Sequence, residues 1–197
     1  MYQYNGSYDP YEVGGSYDPG DFVSVNISAG KSFEKTAFTG DIIYTAYSDD
    51  KLDDVRAYDA SAQVDFRLRT IMTGDKYSLG GNLRYLYRFK PTQYNISTGA
   101  IIGEEKLFGN EFSINGNLKY HPDPKWYLSP SVDLRMIGES DRGVDKSTIF
   151  GFGGLYGRKL NRTMDFDIGL KYFTGSADDG DIDLTGLQLT FGLSALF

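Results

Sequence analysis

The chain has 197 residues, with 24 Gly, 16 Tyr and 13 Phe but only 6 Pro and one Trp, a balance that favours β-structure with tight turns over helical packing. Its net charge of −7 and pI of about 4.7 exclude a nucleic-acid surface, which needs clustered Lys and Arg. Without a cysteine there is no disulfide framework, thiolate metal site or thiol nucleophile.

No apolar run approaches the roughly 18 residues of a membrane helix, and the mean hydropathy of −0.39 is that of a soluble protein. Hydropathy averages miss one class, because a strand alternating between lipid and a polar lumen is only half apolar. Residues 1–20 read as a flexible amino-terminal tail. "GSYDP" occurs there at 6–10 and again at 15–19; turn formers dominate it, and its apolar content is too small to hold a strand alone. The start, "MYQYNGSYDP", has no signal-peptide pattern, and Met1 reads as a processing boundary.

From residue 21 onward, alternation predicts ten strands, at 21–32, 36–47, 58–72, 77–89, 92–103, 109–120, 126–137, 147–158, 162–174 and 183–197. Most run 11 to 15 residues, against ~5–6 for strands of globular proteins and ~9–11 for a tilted strand crossing a bilayer. One face is apolar, as in Val64, Phe66, Leu68, then Leu83, Tyr85, Tyr87, then Ile168, Leu170, Tyr172. The other carries six acids, Asp59, Asp65, Glu111, Asp133, Asp165 and Asp167, against seven bases, Arg67, Arg69, Arg84, Arg88, Lys119, Arg135 and Lys171. A soluble sandwich also alternates, so alternation alone leaves both architectures open.

Aromatic positions separate them. With an even strand count and both termini on one side, Tyr44, Tyr58, Tyr87, Phe89, Tyr94, Tyr120, Trp126, Tyr156 and Phe197 gather at a single edge, as in the girdle of a membrane barrel. "FKPT", "HPDPK" and "RKLNR" then form short turns on that side, with "GEEKLFG", "GESDRGVDK" and "SADDGDID" as longer acidic loops opposite. Two connections dissent. "TGDK" is short on the loop side and "SDDKLDDVRA" is long on the turn side, so either the second is a functional loop or the strand count near 48–57 fails. Folding the hairpins places Asp65 opposite Arg84, Glu111 opposite Arg135, Tyr120 opposite Trp126 and Gly116 opposite Pro130. Four glycines in "STIFGFGGLYGR" suit a tightly curved wall.

The chain closes on "LTFGLSALF", with Phe191, Leu193, Ala195 and Phe197 at alternate positions. This end resembles the C-terminal signal by which the barrel-assembly machinery recognises bacterial outer-membrane β-barrel proteins, and residues 21–197 resemble that class in pattern. The expectation is an all-β, transmembrane, antiparallel up-and-down β-barrel of about ten strands over 21–197, with both termini periplasmic. Implied partners are outer-membrane lipid and lipopolysaccharide, the assembly machinery during biogenesis, and a periplasmic partner for residues 1–20. Tyr87, Phe89, Tyr94, Tyr120, Trp126 and Tyr156 are the expected membrane girdle.

The sole histidine, His121, sits in "YHPDPK". Pairing it with Asp123 would resemble the outer-membrane proteases, whose Asp–His pairs lie near the external rim, whereas His121 falls in a proline-flanked turn on the other side. No enzyme activity is expected, and Asp165 with Asp167 reads as part of a charged lumen. Loop carboxylates Glu104, Glu105, Glu139, Asp141, Asp178, Asp179, Asp181 and Asp183 lack a calcium-motif spacing and read as solubilising; no metal or cofactor is expected. Ten strands fall between the eight that side chains fill and the 16–18 of a wide channel. Arg67, Arg69, Arg84 and Arg88, with Asp65, Glu111 and Arg135, are the candidate lumen and selectivity residues, favouring anions where water reaches them. Two functions follow: a narrow passive channel for ions or small solutes, or a plugged structural barrel that anchors or scaffolds a partner protein.

Overall fold

The computed structural model describes residues 1–5, 16–106, 108–141, 146–161, 163–177 and 180–195. Alternating β-branched and aromatic residues build strands throughout, and the described residues contain no α-helix. The main sheet holds a two-residue strand, β1 (Tyr2–Gln3), and nine long ones. These are β3 (Phe22–Ser32), β4 (Thr36–Tyr47), β7 (Ala62–Thr73), β8 (Tyr77–Arg88), β11 (Glu111–Asp123), β12 (Trp126–Ile137), β13 (Ser147–Lys159), β14 (Met164–Ala177) and β15 (Ile182–Ala195). Every pairing is antiparallel, in the order β1-β3-β4-β7-β8-β11-β12-β13-β14-β15. The sheet is open, with β1 at one edge and β15 at the other. A second sheet of short strands has the order β10-β9-β6-β5-β2: β2 (Tyr17–Asp18), β5 (Asp49–Leu52), β6 (Val55–Asp59), β9 (Thr92–Tyr94) and β10 (Ile101–Glu104).

Strands expected at 36–47 and 126–137 appear with those bounds, and most others shift by one to three residues. The expected strand 92–103 is a correction. It breaks into β9 and β10 because Asn95 Oδ1 accepts the Ser97 and Thr98 amides and Gly99 takes a φ of 69°, a turn that Asn and Gly favour. The expected strand 58–72 likewise starts only at Ala62. Ser61, at φ 62°, donates its amide to Asp59 and separates β6 from β7. Asp59 therefore leaves the charged face and bonds Arg56 instead. "SDDKLDDVRA" becomes the β5–β6 hairpin, turning on Asp53 and Asp54 with φ 51° and 63°, the conformation of a type I′ turn.

Removing 92–103 from the wall changes which end each later connection occupies, and both dissenting connections fall into line. Connections 33–35, 74–76, 124–125 and 160–163 share one end, the short-turn end, while 48–61, 89–110, 138–146 and 178–181 share the other. "TGDK" thus joins the short turns, and "FKPT" moves to the long-loop end. "SADDGDID" is shorter than expected, because β14 and β15 pair as far as Ala177 and Ile182. With nine long strands, β3 enters from the long-loop end and β15 leaves at the short-turn end. The sheet reaches the expected ten strands when β1, two residues paired antiparallel with β3, is counted with the nine long ones.

The aromatic residues divide in the same way and do not form one edge. Tyr44, Tyr87 and Phe89 lie toward the long-loop end, where Tyr87 and Phe89 meet edge-on with ring centroids 5.0 Å apart. Tyr120, Trp126 and Tyr156 lie toward the short-turn end, with Trp126 and Tyr156 rings 6.2 Å apart. Tyr58 and Tyr94 belong to the second sheet, and Phe197 lies outside the described residues.

Burial runs opposite to that of a soluble protein. Among the described residues, Leu86 and Pro91 are the buried apolar side chains, and of these only Leu86 lies in a strand, whereas Asp41, Thr45, Asp65, Glu111 and Ser140 are buried. The apolar face is bare, with Leu189 at 60% and Phe191 at 68% exposed. A sheet whose charged side chains are covered while its apolar ones are not is curled over the charged face. Inward glycines make room on that concave side: a Cβ on Gly157 would run into the Tyr127 ring, and one on Gly151 into the Asp133 carboxylate.

Candidate functional site: an arginine belt on the concave face

Strand pairing places the charges in rows. Ile43, Asp65, Leu86, Glu111 and Ile137 stand side by side across β4, β7, β8, β11 and β12. The next row toward the short-turn end reads Asp41, Arg67, Arg84, Ser113 and Arg135. A row of acids thus lies beside a row of guanidiniums, with Leu86 between the two acids.

Both expected charge pairings are offset by two residues. Asp65 stands opposite Leu86 and Glu111 opposite Ile137. Tyr120 faces Leu128, Gly116 faces Val132, and Pro130 faces Gly154 in the next hairpin. Because side chains repeat every second residue, an offset of two keeps every residue on its predicted face. The salt bridges survive as diagonals: Arg84 Nη2 lies 2.9 Å from Asp65, and Arg135 Nη2 lies 3.0 Å from Glu111.

The bonds form two neighbouring groups, one around Asp65 and Glu111 and one around Asp41. Asp65 holds Arg67 at 2.6 Å as well as Arg84. Glu111 is shared by Arg135, by Arg84 at 3.7 Å and by Arg88 at 4.0 Å. Arg69 bonds Asp41, which also accepts the Ser28 hydroxyl. Asp41, opposite Arg67 in the same row, belongs to this belt and was left out of the sequence reading, although it alternates with the outward Ile42. Five arginines therefore share three carboxylates, a surplus of two positive charges. The acids lie underneath, with 7 to 11% of their side-chain surface exposed, and the guanidiniums lie on top at 27 to 55%.

The belt borders open space. Arg88, with Tyr47, Tyr58, Gln63, Phe89 and Phe108, lines a cavity of about 450 Å³ at the long-loop end. Its guanidinium donates to the Gly109 carbonyl and lies 6.0 Å from the Phe108 ring centroid, which ties the connection 89–110 to β8. Arg135 and Asp133, with Ile149, Phe173 and Thr185, line a second cavity of about 420 Å³.

The remaining sequence candidates lie elsewhere. His121 is in β11 at the short-turn end, its ring 5.4 Å from that of Tyr127, and Asp123 accepts the Lys125 amide across the turn. Asp165 and Asp167 are on the charged face of β14, two to three strands beyond the belt. Phe191, Leu193 and Ala195 are in β15. No cluster of metal-ligating side chains occurs among the described residues.

Outside the strands, loop charges hold the long-loop end together. Asp141 accepts the Lys106 amide at 2.6 Å, returns a backbone bond to the Lys106 carbonyl and lies 3.5 Å from Lys90 Nζ. The Lys106 amide, with Lys90 beside it, holds the Asp141 carboxyl below its ordinary value.

An antiparallel all-β sheet of this length, charged on its covered side, is similar to a solved structure described as "NanC porin structure in rhombohedral crystal form". The fold resembles that of a porin. The match has a TM-score of 0.50 at 12% identity and covers 98% of this chain and 90% of the other. No protein-family model matches the sequence, and no curated protein does.

Proposed function

We propose that this chain forms the wall of a small pore in a bacterial outer membrane, with a narrow polar lumen that passes ions or small solutes and prefers anions. The observation that carries this reading is the belt itself, in which five partly exposed arginines lie over three largely buried carboxylates and two of them, Arg88 and Arg135, line the cavities. Positive charge exposed to confined water raises the local concentration of anions.

Three further features support a membrane setting. The apolar face is exposed, the nine strands are as long as a bilayer crossing requires, and aromatics occur toward both ends, as at the two interfaces of a membrane barrel. Porin-like barrels carry short turns on the periplasmic side and longer loops outside. On that rule the short-turn end, where β15 finishes, faces the periplasm, and the second sheet stands outside. The porin-like neighbour supports the same setting.

The test is planar-bilayer recording of the refolded protein under a salt gradient, with heat-modifiable gel mobility as the folding control. Discrete levels with a reversal potential on the anion side, weakened in Arg84→Ala with Arg88→Ala, support the channel. A folded protein that carries no current refutes it and returns the chain to the role of a plugged anchor for a partner.

A further inference from the structure

We propose that the cavity at the long-loop end binds an aromatic carboxylate, with Arg88 and Gln63 holding the carboxylate and the surrounding side chains holding the ring. The site is built where the two sheets meet. Gln63 and Arg88 are cross-strand partners near the long-loop ends of β7 and β8, and the pair is closed by the Phe89 amide, which donates to the Ala62 carbonyl. The break at Ser61 removes Tyr58 and Ala60 from the line of β7. Together with Pro91 and Phe108 from the connection 89–110, they border a space of about 450 Å³.

Two observations select the ligand. The first is unspent donors: an arginine has five N–H groups, and with the described residues the Arg88 guanidinium makes one hydrogen bond, to the Gly109 carbonyl. Its ion-pair partner Glu111 is 4.0 Å away and lies closer to Arg135 and Arg84. The Gln63 side-chain amide makes no hydrogen bond with the described residues. A carboxylate fits the guanidinium fork with two parallel bonds, and such bonds are stronger in a confined apolar setting than in open water. The second observation is the rest of the lining. Tyr47, Tyr58, Phe89 and Phe108 supply rings, which favour another ring in offset or edge-on contact. A sugar acid fits poorly, since hydroxyls set against Ala60, Ala62 and Pro91 lose their bonds to water without replacement. A mostly apolar cavity of this size with two adjacent polar groups is the usual seat of a small organic ligand. This inference rests on the pore reading in one respect, that a ligand held there stands at the mouth of the proposed lumen; its test reads binding and not current.

The experiment is equilibrium dialysis of benzoate against the refolded chain in detergent, with empty micelles as the blank and heat-modifiable mobility as the folding control for each variant. Saturable binding of a single benzoate per chain is expected, about tenfold tighter than benzamide, its neutral isostere, and than glucuronate, a sugar acid. Arg88→Gln is expected to weaken benzoate binding about tenfold and the loop variant Phe108→Ala about threefold. Lys125→Gln, an equal change of net charge at the short-turn end, should leave it unchanged. The site is overturned if benzamide or glucuronate binds as tightly as benzoate, if Arg88→Gln or Phe108→Ala leaves the affinity as it was, or if Lys125→Gln weakens it as much as Arg88→Gln. A protein that conducts but does not bind benzoate saturably refutes this site alone, and one that binds benzoate without conducting refutes the pore alone.

Discussion

Arg67 and Arg84 stand directly opposite one another across the β7–β8 pair, and a single carboxylate, Asp65, holds both, at 2.6 and 2.9 Å. Like charges facing across an antiparallel pair are destabilising, so this part of the wall depends on Asp65. Replacing it by Asn keeps the shape and removes the charge. We expect Asp65→Asn to lower unfolding stability in detergent by roughly 1–3 kcal/mol, measured by urea titration. Adding Arg67→Gln should recover part of that loss, since the repulsion goes with the arginine. Equal stability of parent and Asp65→Asn would show that the guanidiniums do not need the shared acid.

Glu111 and Arg88 make a pair with opposite consequences. Glu111 is shared by Arg84, Arg88 and Arg135, so Glu111→Gln raises the net charge of the belt by one and Arg88→Ala lowers it by one. Reversal potentials under a salt gradient should move toward stronger anion preference in the first and away from it in the second. Movement of both variants in one direction would contradict an electrostatic belt.

Two glycines of β13 offer a steric test. A methyl at Gly157 would collide with the Tyr127 ring on the charged face, while at Gly154, on the apolar face, the nearest atoms are 3.8 Å and 3.9 Å from the added carbon. We expect Gly157→Ala to cost about 1–3 kcal/mol, the usual range for overpacking, and Gly154→Ala to leave the urea midpoint close to that of the parent.

The clip between Asp141 and Lys106 carries a pH dependence. Its carboxyl is held below the ordinary value by the Lys106 amide and by Lys90. A carboxyl depressed on folding adds stability above its unfolded value and loses it as pH falls through the folded one. The clip should therefore persist at neutral pH and open only in acid, below the ordinary carboxylate range. Hydrogen exchange at the Lys106 amide, compared with Asp141→Asn at neutral pH, reads this directly. An amide equally protected in both proteins would show that the carboxylate does not hold the loop.

Much of the wall was legible because its two faces meet such different surroundings. Charges at Asp65, Arg67 and Arg84 and apolar residues at Phe66, Leu68 and Tyr85 alternate, with Leu86 the apolar exception on the charged face of β8, and that period survives any even offset in register. The same property hid the offset, since the Asp65–Arg84 bridge forms whether the residues are opposite or diagonal. The 92–103 segment misled because its apolar residues keep alternating through a turn. Asn95 and Gly99 were the contrary signal, readable as a β-turn. That single miscount set the later strands running the wrong way, which drew two groups of aromatics into one and left "TGDK" and "SDDKLDDVRA" unexplained. Cavities and the depth of each carboxylate follow from curvature, which no local pattern encodes.

Among the described strand residues Leu86 is the one buried apolar side chain, and it stands between Asp65 and Glu111; this bears on how such a chain comes to be folded at all. Water gains almost nothing by squeezing a centre of this kind together, because what needs hiding is the outer skin of Val25, Leu68, Phe152, Leu189 and Phe191. The free energy of folding then belongs as much to the surroundings as to the molecule. Offered only water, the skin has no destination except another sticky chain, so on the proposed membrane reading the chain would need a carrier that coats it. Offered an oily layer, stability rises as the layer's thickness approaches the length of the strands, and thins out on either side of that match.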